Sequence, residues 1–327
     1  MHDAITTEAY LQSFLELDPT ETHYVDMGGR VPIPIKAKPA PHANALIVLF
    51  HGAMNRERHT YPSYLNYRSR IYPHAHQISI ADTSLSLDHR LTNGWFAGSA
   101  DTPLQELLPK FIRTLTETLD VNRLIFSGSS GGGFAALHYS WYFPKSIAVV
   151  TAPQTNINAY YKRRRDAYFE TAWRASNSVP PDSLCTDLRE LYKRAPNNTI
   201  IYLQSALDHF HIQTQMLPFL SSLSAKSLEH VTLKCSFWGK LGHSGAIPTE
   251  EMDAWIRAAL TAPDYTPEQI TQTYHTSNQT NFATDRTQHA PQTLASGPSA
   301  IPTNKSDIEL TKHVAEYLLN NEDQYNV

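Results

Sequence analysis

Six short apolar runs recur along the chain, separated by longer helical patterns, and this alternation leaves few folds open. Ala45–Phe50 is apolar throughout, 76–81 is a weaker run, and 123–127, 146–150, 199–203 and 230–236 complete the set. Runs apolar on both faces suit strands covered above and below. Strands that alternate with helices read as a mostly parallel sheet between two helical layers. Residues 102–119 set Leu104, Leu107, Leu108, Ile112, Leu115 and Leu119 at three- and four-residue spacings, so they predict an amphipathic helix with one face on the sheet. Residues 132–142 and 249–260 read as further helices, the latter opening behind Pro248 with Glu250 and Glu251 in its first turn.

Composition divides the rest of the chain. Residues 1–40 form an N-terminal segment ahead of the sheet-bearing domain, 41–260. Within it, 156–195 is longer than an ordinary crossover and mixes Tyr160, Tyr161, Tyr168, Phe169 and Trp173 with the run Lys162-Arg163-Arg164-Arg165, which predicts an inserted helical cap. From 261 to 305 the chain turns to Thr, Pro, Gln, Asn, Ser and His with few large apolar residues, so burial there does not offset the entropy of ordering, and a disordered linker is expected. Residues 306–327 read as a terminal helix: Ser306 and Glu309 have capping-box spacing, and Ile308, Leu310, Val314, Leu318 and Leu319 form one apolar stripe. That stripe needs a surface, either its own domain or a protein partner.

Charge and cysteine content exclude several classes. Lys+Arg number 27 against 31 Asp+Glu, a formal net charge of −4, which lacks the basic stripe of a nucleic-acid binder. No apolar stretch approaches the ~18–20 residues of a membrane span. The first twenty residues carry Asp3, Glu8, Glu16 and Asp18 and lack the basic start and apolar run of a secretory signal. Cys185 and Cys235 make no disulfide framework and no zinc spacing, so reduced thiols and a cytoplasmic location are expected.

The strongest chemical signal is the strand 123–127 running into Gly128-Ser129-Ser130-Gly131-Gly132-Gly133 and then an apolar helix. A serine on a tight strand-to-helix turn exposes its Oγ above the sheet, and flanking glycines let neighbouring backbone approach. Ser130 is therefore the candidate nucleophile, and the Gly131 N–H at the helix start points to where an oxyanion would form. The bland alternative is a flexible glycine linker, which the strand before and the helix after it disfavour. No Lys-Ser/Thr follows as in a phosphate-binding loop, and Gly128, Gly131 and Gly133 miss the dinucleotide spacing.

Across 40–260 the sequence resembles the α/β-hydrolase superfamily, whose triad runs serine, acid, histidine along the chain. The resemblance implies an α/β-hydrolase fold and places the acid at Asp208, in Gln204-Ser-Ala-Leu-Asp208 beyond the fifth strand. It places the base at His243, in Gly242-His243-Ser244-Gly245 beyond the last. Asp208 as a helix cap and His243 as a loop histidine are the structural alternatives; His209 and His211 read as surface or pocket residues. The turn Phe50-His51-Gly52-Ala53-Met54 matches the superfamily's His-Gly pattern and implies a second oxyanion donor at the Ala53 amide, or at Met54, with His51 tying the loop down. A narrower resemblance rests on Asn93-Gly-Trp95-Phe96-Ala-Gly98, 146–150 and Ala152-Pro-Gln154-Thr155. It is to α/β-hydrolase-like proteins associated with bacterial surface polysaccharides and glycoprotein export, some implicated in acyl chemistry on glycans. Met54, Ser129, Trp95 and Arg163 are candidate substrate contacts, although Trp95 reads first as a core aromatic and the arginine run first as a solvated helix face. The resemblance implies a serine hydrolase acting on a small-molecule or glycan ester, with no metal and no dissociable cofactor. An acyltransferase using the same triad and a non-catalytic scaffold are the rivals.

Overall fold

The structure is a computed structural model that describes residues 3–175, 177, 179–194, 196–242 and 247–286, with backbone alone for 278–286. Nine strands form one sheet among the described residues, in the order β1-β2-β3-β5-β4-β6-β7-β8-β9. The six apolar runs are β4 (Ala45–Phe50), β5 (His76–Ile80), β6 (Arg123–Ser129), β7 (Ile147–Thr151), β8 (Thr199–Ser205) and β9 (Val231–Ser236). All six run parallel, as expected of strands buried on both faces.

The N-terminal segment is not separate from this sheet. β1 (Ile5–Thr6), β2 (His23–Asp26) and β3 (Ile33–Lys38) complete one side, β3 pairing antiparallel with β5, and α1 (Thr7–Gln12) buries Tyr10 and Leu11. On one face α2 (Leu104–Thr118) buries Leu104, Leu108, Phe111, Ile112 and Leu115, the stripe that its spacing predicts. α3 (Gly131–Ser140) follows β6 without a break and is buried on every side. The insertion between β7 and β8 holds α4 (Lys162–Trp173) and α5 (Leu188–Tyr192), with Tyr168, Phe169 and Ala172 in the core.

After β8, α6 (His209–His211) leads through a π-helical turn into α7 (Leu217–Ser222), and α8 (Ala225–Leu228) precedes β9. On the opposite face, α9 (Thr249–Thr261) packs Met252, Trp255 and Ile256 against β4, β6 and β7 side chains. The first part of the expected linker is ordered: α10 (Pro267–Arg286) docks Ile270 and Tyr274 onto the same core. Tyr274 stacks on Trp255 at 3.9 Å between ring centroids, and its hydroxyl donates to Glu251 Oε1. Two buried side chains four apart and a Thr271–Thr232 hydrogen bond to β9 tie this helix down, contacts that a count of large apolar residues undervalues. Residues 287–327, including the expected terminal helix, lie outside the described residues. Met1–Asn281 forms one compact unit. No helix among the described residues is long and apolar enough to cross a membrane.

Candidate active site

β6 ends at Ser129 and α3 begins at Gly131, so the whole reversal of direction falls on Ser130, at φ 53° and ψ −118°. A side chain at positive φ is strained and persists only where its surroundings hold it. Here the Ser130 amide donates to the Thr151 carbonyl and its carbonyl accepts from the Gln154 amide at 3.0 Å. The turn closes against β4 because Gly132 has no side chain: a Cβ there would lie 2.4 Å from the carbonyl oxygens of Phe50 and His51. Ser130 is nearly buried, and its Oγ accepts a hydrogen bond from Gln154 Nε2 at 2.9 Å.

Two backbone amides are available beside it. Gly131 opens α3, where the first-turn N–H groups have no intrahelical acceptor and the helix dipole favours negative charge. Across the turn, Gly52 lies against the backbone of Ser129. The Met54 amide is already bonded to the Thr92 carbonyl at 2.7 Å, which leaves Ala53 as the exposed loop amide. His51 fixes its direction. The Asp82 amide donates to His51 Nε2, so the ring proton resides on Nδ1, which donates to the Gly52 carbonyl at 2.6 Å. In a trans peptide the Ala53 N–H then points the opposite way from that carbonyl. Burial holds the His51 pKa below its ordinary value, so the ring is neutral at pH 7 and the tautomer is kept.

Asp208 stands on the loop beyond the carboxyl end of β8, buried to 1 % exposure. It is the N-cap of α6, accepting from the His211 amide at 3.2 Å, and the His211 Nδ1 lies 3.0 Å from its Oδ2. The Asp208 side chain thus caps α6, and His211, expected at the surface or in a pocket, is a fully buried partner of this carboxylate. His243 lies outside the described residues. The chain on either side of it is described: the Gly242 amide donates to the Leu207 carbonyl at 2.9 Å, one residue from Asp208. On the other side, Ile247 lines a cavity of about 560 Å³ together with Ser129 and Thr151.

Of the candidate substrate contacts, Ser129 lines that cavity. Met54 and Ala53 line a larger one of about 850 Å³ with Gly52, Lys36, Tyr64 and Tyr67. Arg163 is exposed on α4 and, with Arg164, Thr92 and Asn93, borders a third of about 400 Å³. Asn93 reaches the nucleophile turn itself, since a Cβ on Gly131 would meet its Oδ1 at 2.3 Å. Trp95 is 1 % exposed and takes the core position, packed edge-on against Tyr160 and Tyr168 of the insertion, so it has no face for a ligand.

Gln154 and Asn93 stand in sequence motifs that assign neither of them a role. The signal for Gln154 was its position, a polar residue just past the carboxyl end of the strand next to β6, where ligands bind in open parallel sheets.

The order of the sheet, the turn at Ser130 and the helices on both faces define the α/β-hydrolase fold. No protein-family model and no curated protein matches the sequence. Among solved structures the chain is similar to the capsule O-acetyltransferase of Neisseria meningitidis serogroup A in complex with CoA, at 14 % identity and a TM-score of 0.54, over 77 % of this chain and 100 % of that one. It is also similar to an S-formylglutathione hydrolase from Agrobacterium tumefaciens, at 14 % identity and TM-score 0.53 over 73 % and 93 % of the two chains. A third is the substrate-bound fluorophosphonate-binding serine hydrolase F of Staphylococcus aureus, at 9 % identity and TM-score 0.51 over 74 % and 97 %.

Proposed function

We propose that this chain is a serine hydrolase that cleaves a carboxylic ester through an acyl-enzyme on Ser130. The observation that carries the reading is the Ser130 turn: a strained serine backbone between β6 and α3, with the N-terminus of α3 at Gly131 beside it and Gly52 packed on the backbone of Ser129. In this mechanism the Ser130 proton passes to the His243 imidazole as Oγ bonds to the ester carbon, and the carbonyl electron pair moves onto oxygen. The Gly131 and Ala53 amides stabilise that oxyanion. Collapse breaks the bond to the alcohol, which leaves with the imidazolium proton, and water repeats the sequence to free Ser130. Asp208 orients the imidazole and offsets its positive charge. The Gly242–Leu207 hydrogen bond and the position of Ile247 support His243 in this role, because they bring both flanks of its loop to the neighbourhood of Asp208 and Ser129.

The cavity bordered by Ala53, Tyr64, Tyr67 and Lys36 favours an acylated small molecule or glycan as substrate, since aromatic rings stack on sugar faces while polar groups take the hydroxyls. A second reading keeps the acyl-enzyme but delivers the acyl group to a glycan hydroxyl. The cavity of about 400 Å³ beside Asn93 favours it, because Arg163 and Arg164 there suit the anionic portion of an activated acyl donor. The capsule O-acetyltransferase of similar fold holds CoA. A cytoplasmic site of action fits the two free cysteines, Cys185 and Cys235, the former with a thiol pKa pushed up to about 11 by burial.

The test is turnover of an ester panel from acetyl to octanoyl, including acetylated sugars, with and without glycan acceptors. Ser130→Ala is expected to lower kcat by at least ~10⁴-fold. Product appearing on the acceptor instead of as free acid selects the transfer reading. Absence of turnover on every ester, with or without acceptor, leaves a non-catalytic binding protein.

A further inference from the structure

We propose that Gln154 is a further catalytic residue of this site: its carboxamide N–H donates to Ser130 Oγ and stabilises the charge that gathers there as the acyl-enzyme forms and breaks. The inference rests on the Ser130 acyl-enzyme reading and assigns a group that neither the triad nor the oxyanion amides include.

The orientation of the amide follows from its partners. Gln154 is fully buried, and its Oε1 accepts from the indole Nε1 of Trp95, a group that can only donate. The oxygen must therefore face Trp95, which turns Nε2 toward Ser130 Oγ at 2.9 Å. Trp95 is itself held by Tyr160 and Tyr168, so the insertion between β7 and β8 buttresses the donor through one ring. Trp95 and Phe96 stand at φ 53° and 54°, a strained pair kept in place by Asp82 Oδ2, which accepts from the Phe96 amide, and by the Tyr139 hydroxyl on the Phe96 carbonyl. The turn does not need the Gln154 side chain to hold its shape, because the Gln154 backbone amide already bonds the Ser130 carbonyl.

Such a donor does two things. With one Oγ lone pair occupied, the hydroxyl proton is directed away from Gln154, toward a base on the other side. In deacylation, water adds to the acyl carbon and gives a proton to the imidazole. The bond from carbon to Oγ then breaks, its electron pair stays on Oγ, and the imidazolium proton returns there. A fixed N–H at Oγ is worth most at that moment, when the oxygen carries the greatest charge.

Active-site titration by the p-nitrophenol burst from p-nitrophenyl acetate, followed by steady-state turnover, separates this role from packing. Gln154→Leu keeps the volume and removes the donor. It is expected to lower kcat per titrated site by ~10–100-fold with KM within about threefold of wild type. Gln154→Glu keeps the shape and the acceptor for Trp95 but places a carboxylate against Oγ, so at pH 7 it is expected to be at least as slow. Trp95→Phe keeps the ring packing and frees the amide to rotate; a fall of several-fold is expected, and this variant carries the test if the Gln154 variants fail to fold. Wild-type kcat in folded Gln154→Leu, or in Trp95→Phe where the former does not fold, overturns the role of Gln154 alone. A wild-type protein with no burst and no turnover overturns the acyl-enzyme reading and this inference with it.

Discussion

Ser130, Trp95 and Phe96 are three non-glycine residues at positive φ around one site, and each is paid for by contacts that a sequence does not display. The serine was legible because glycines flank it between a strand and a helix. Gln154 was not, because its partner is fixed only once two consecutive aromatic residues adopt left-handed backbone. Asp208 was legible as an acid beyond a strand end, but not its contact with His211, which depends on the first turn of α6. Asp208→Asn keeps an oxygen to cap that turn while losing the charge, so kcat on a p-nitrophenyl ester is expected to fall on the order of 10³–10⁴-fold with the melting temperature nearly unchanged. A second prediction concerns His138, whose two ring nitrogens have no hydrogen-bond partner and whose pKa burial pushes down to about 3. The folded state keeps this ring neutral while the unfolded chain protonates it below its ordinary pKa near 6.5. Its contribution is therefore fully present above pH 6.5 and is lost as pH falls from there toward 3, at up to ~1.4 kcal/mol per pH unit. His138→Phe is expected to flatten the dependence of denaturation midpoint on pH between neutrality and pH 4; an unchanged slope contradicts the assignment.

At the scale of elements, the period of the apolar residues carried most of the information. β4 to β9, α2, α3 and α9 fall where runs and three- to four-residue spacings put them, because each buries a wide apolar face. α10 is not legible from the apolar pattern because its buried apolar residues are Ile270 and Tyr274 among Thr, Gln and Asn, with a Thr271–Thr232 hydrogen bond to β9 beside them. Tyr274→Ala removes a ring stacked on Trp255 and is expected to cost ~3 kcal/mol in urea unfolding; a change below ~0.5 kcal/mol would mean that the docking adds nothing. The junction of β6 and α3 is governed by close approach. Gly132→Ala forces a methyl group onto two backbone carbonyls that cannot move without shifting β4, so a loss of at least ~2–3 kcal/mol and a lower melting temperature are expected.

Over the whole molecule, the parallel order β5-β4-β6-β7-β8-β9 places the ends of β4, β6, β7 and β8 side by side at one rim. Their loops deliver Ala53, Ser130, Gln154 and Asp208. That convergence brings residues far apart in sequence to one rim, where a reading of strand ends looks for a site. The first forty residues were harder to place, because β1 to β3 are short and alternate or break their apolar pattern, yet they extend the same sheet. The most direct measurement of the central claim is reaction of the intact protein with a fluorophosphonate probe, followed by peptide mass spectrometry. A single adduct on Ser130 is expected, absent from folded Ser130→Ala. Equal labelling of the two proteins, or an adduct on another serine alone, would contradict it.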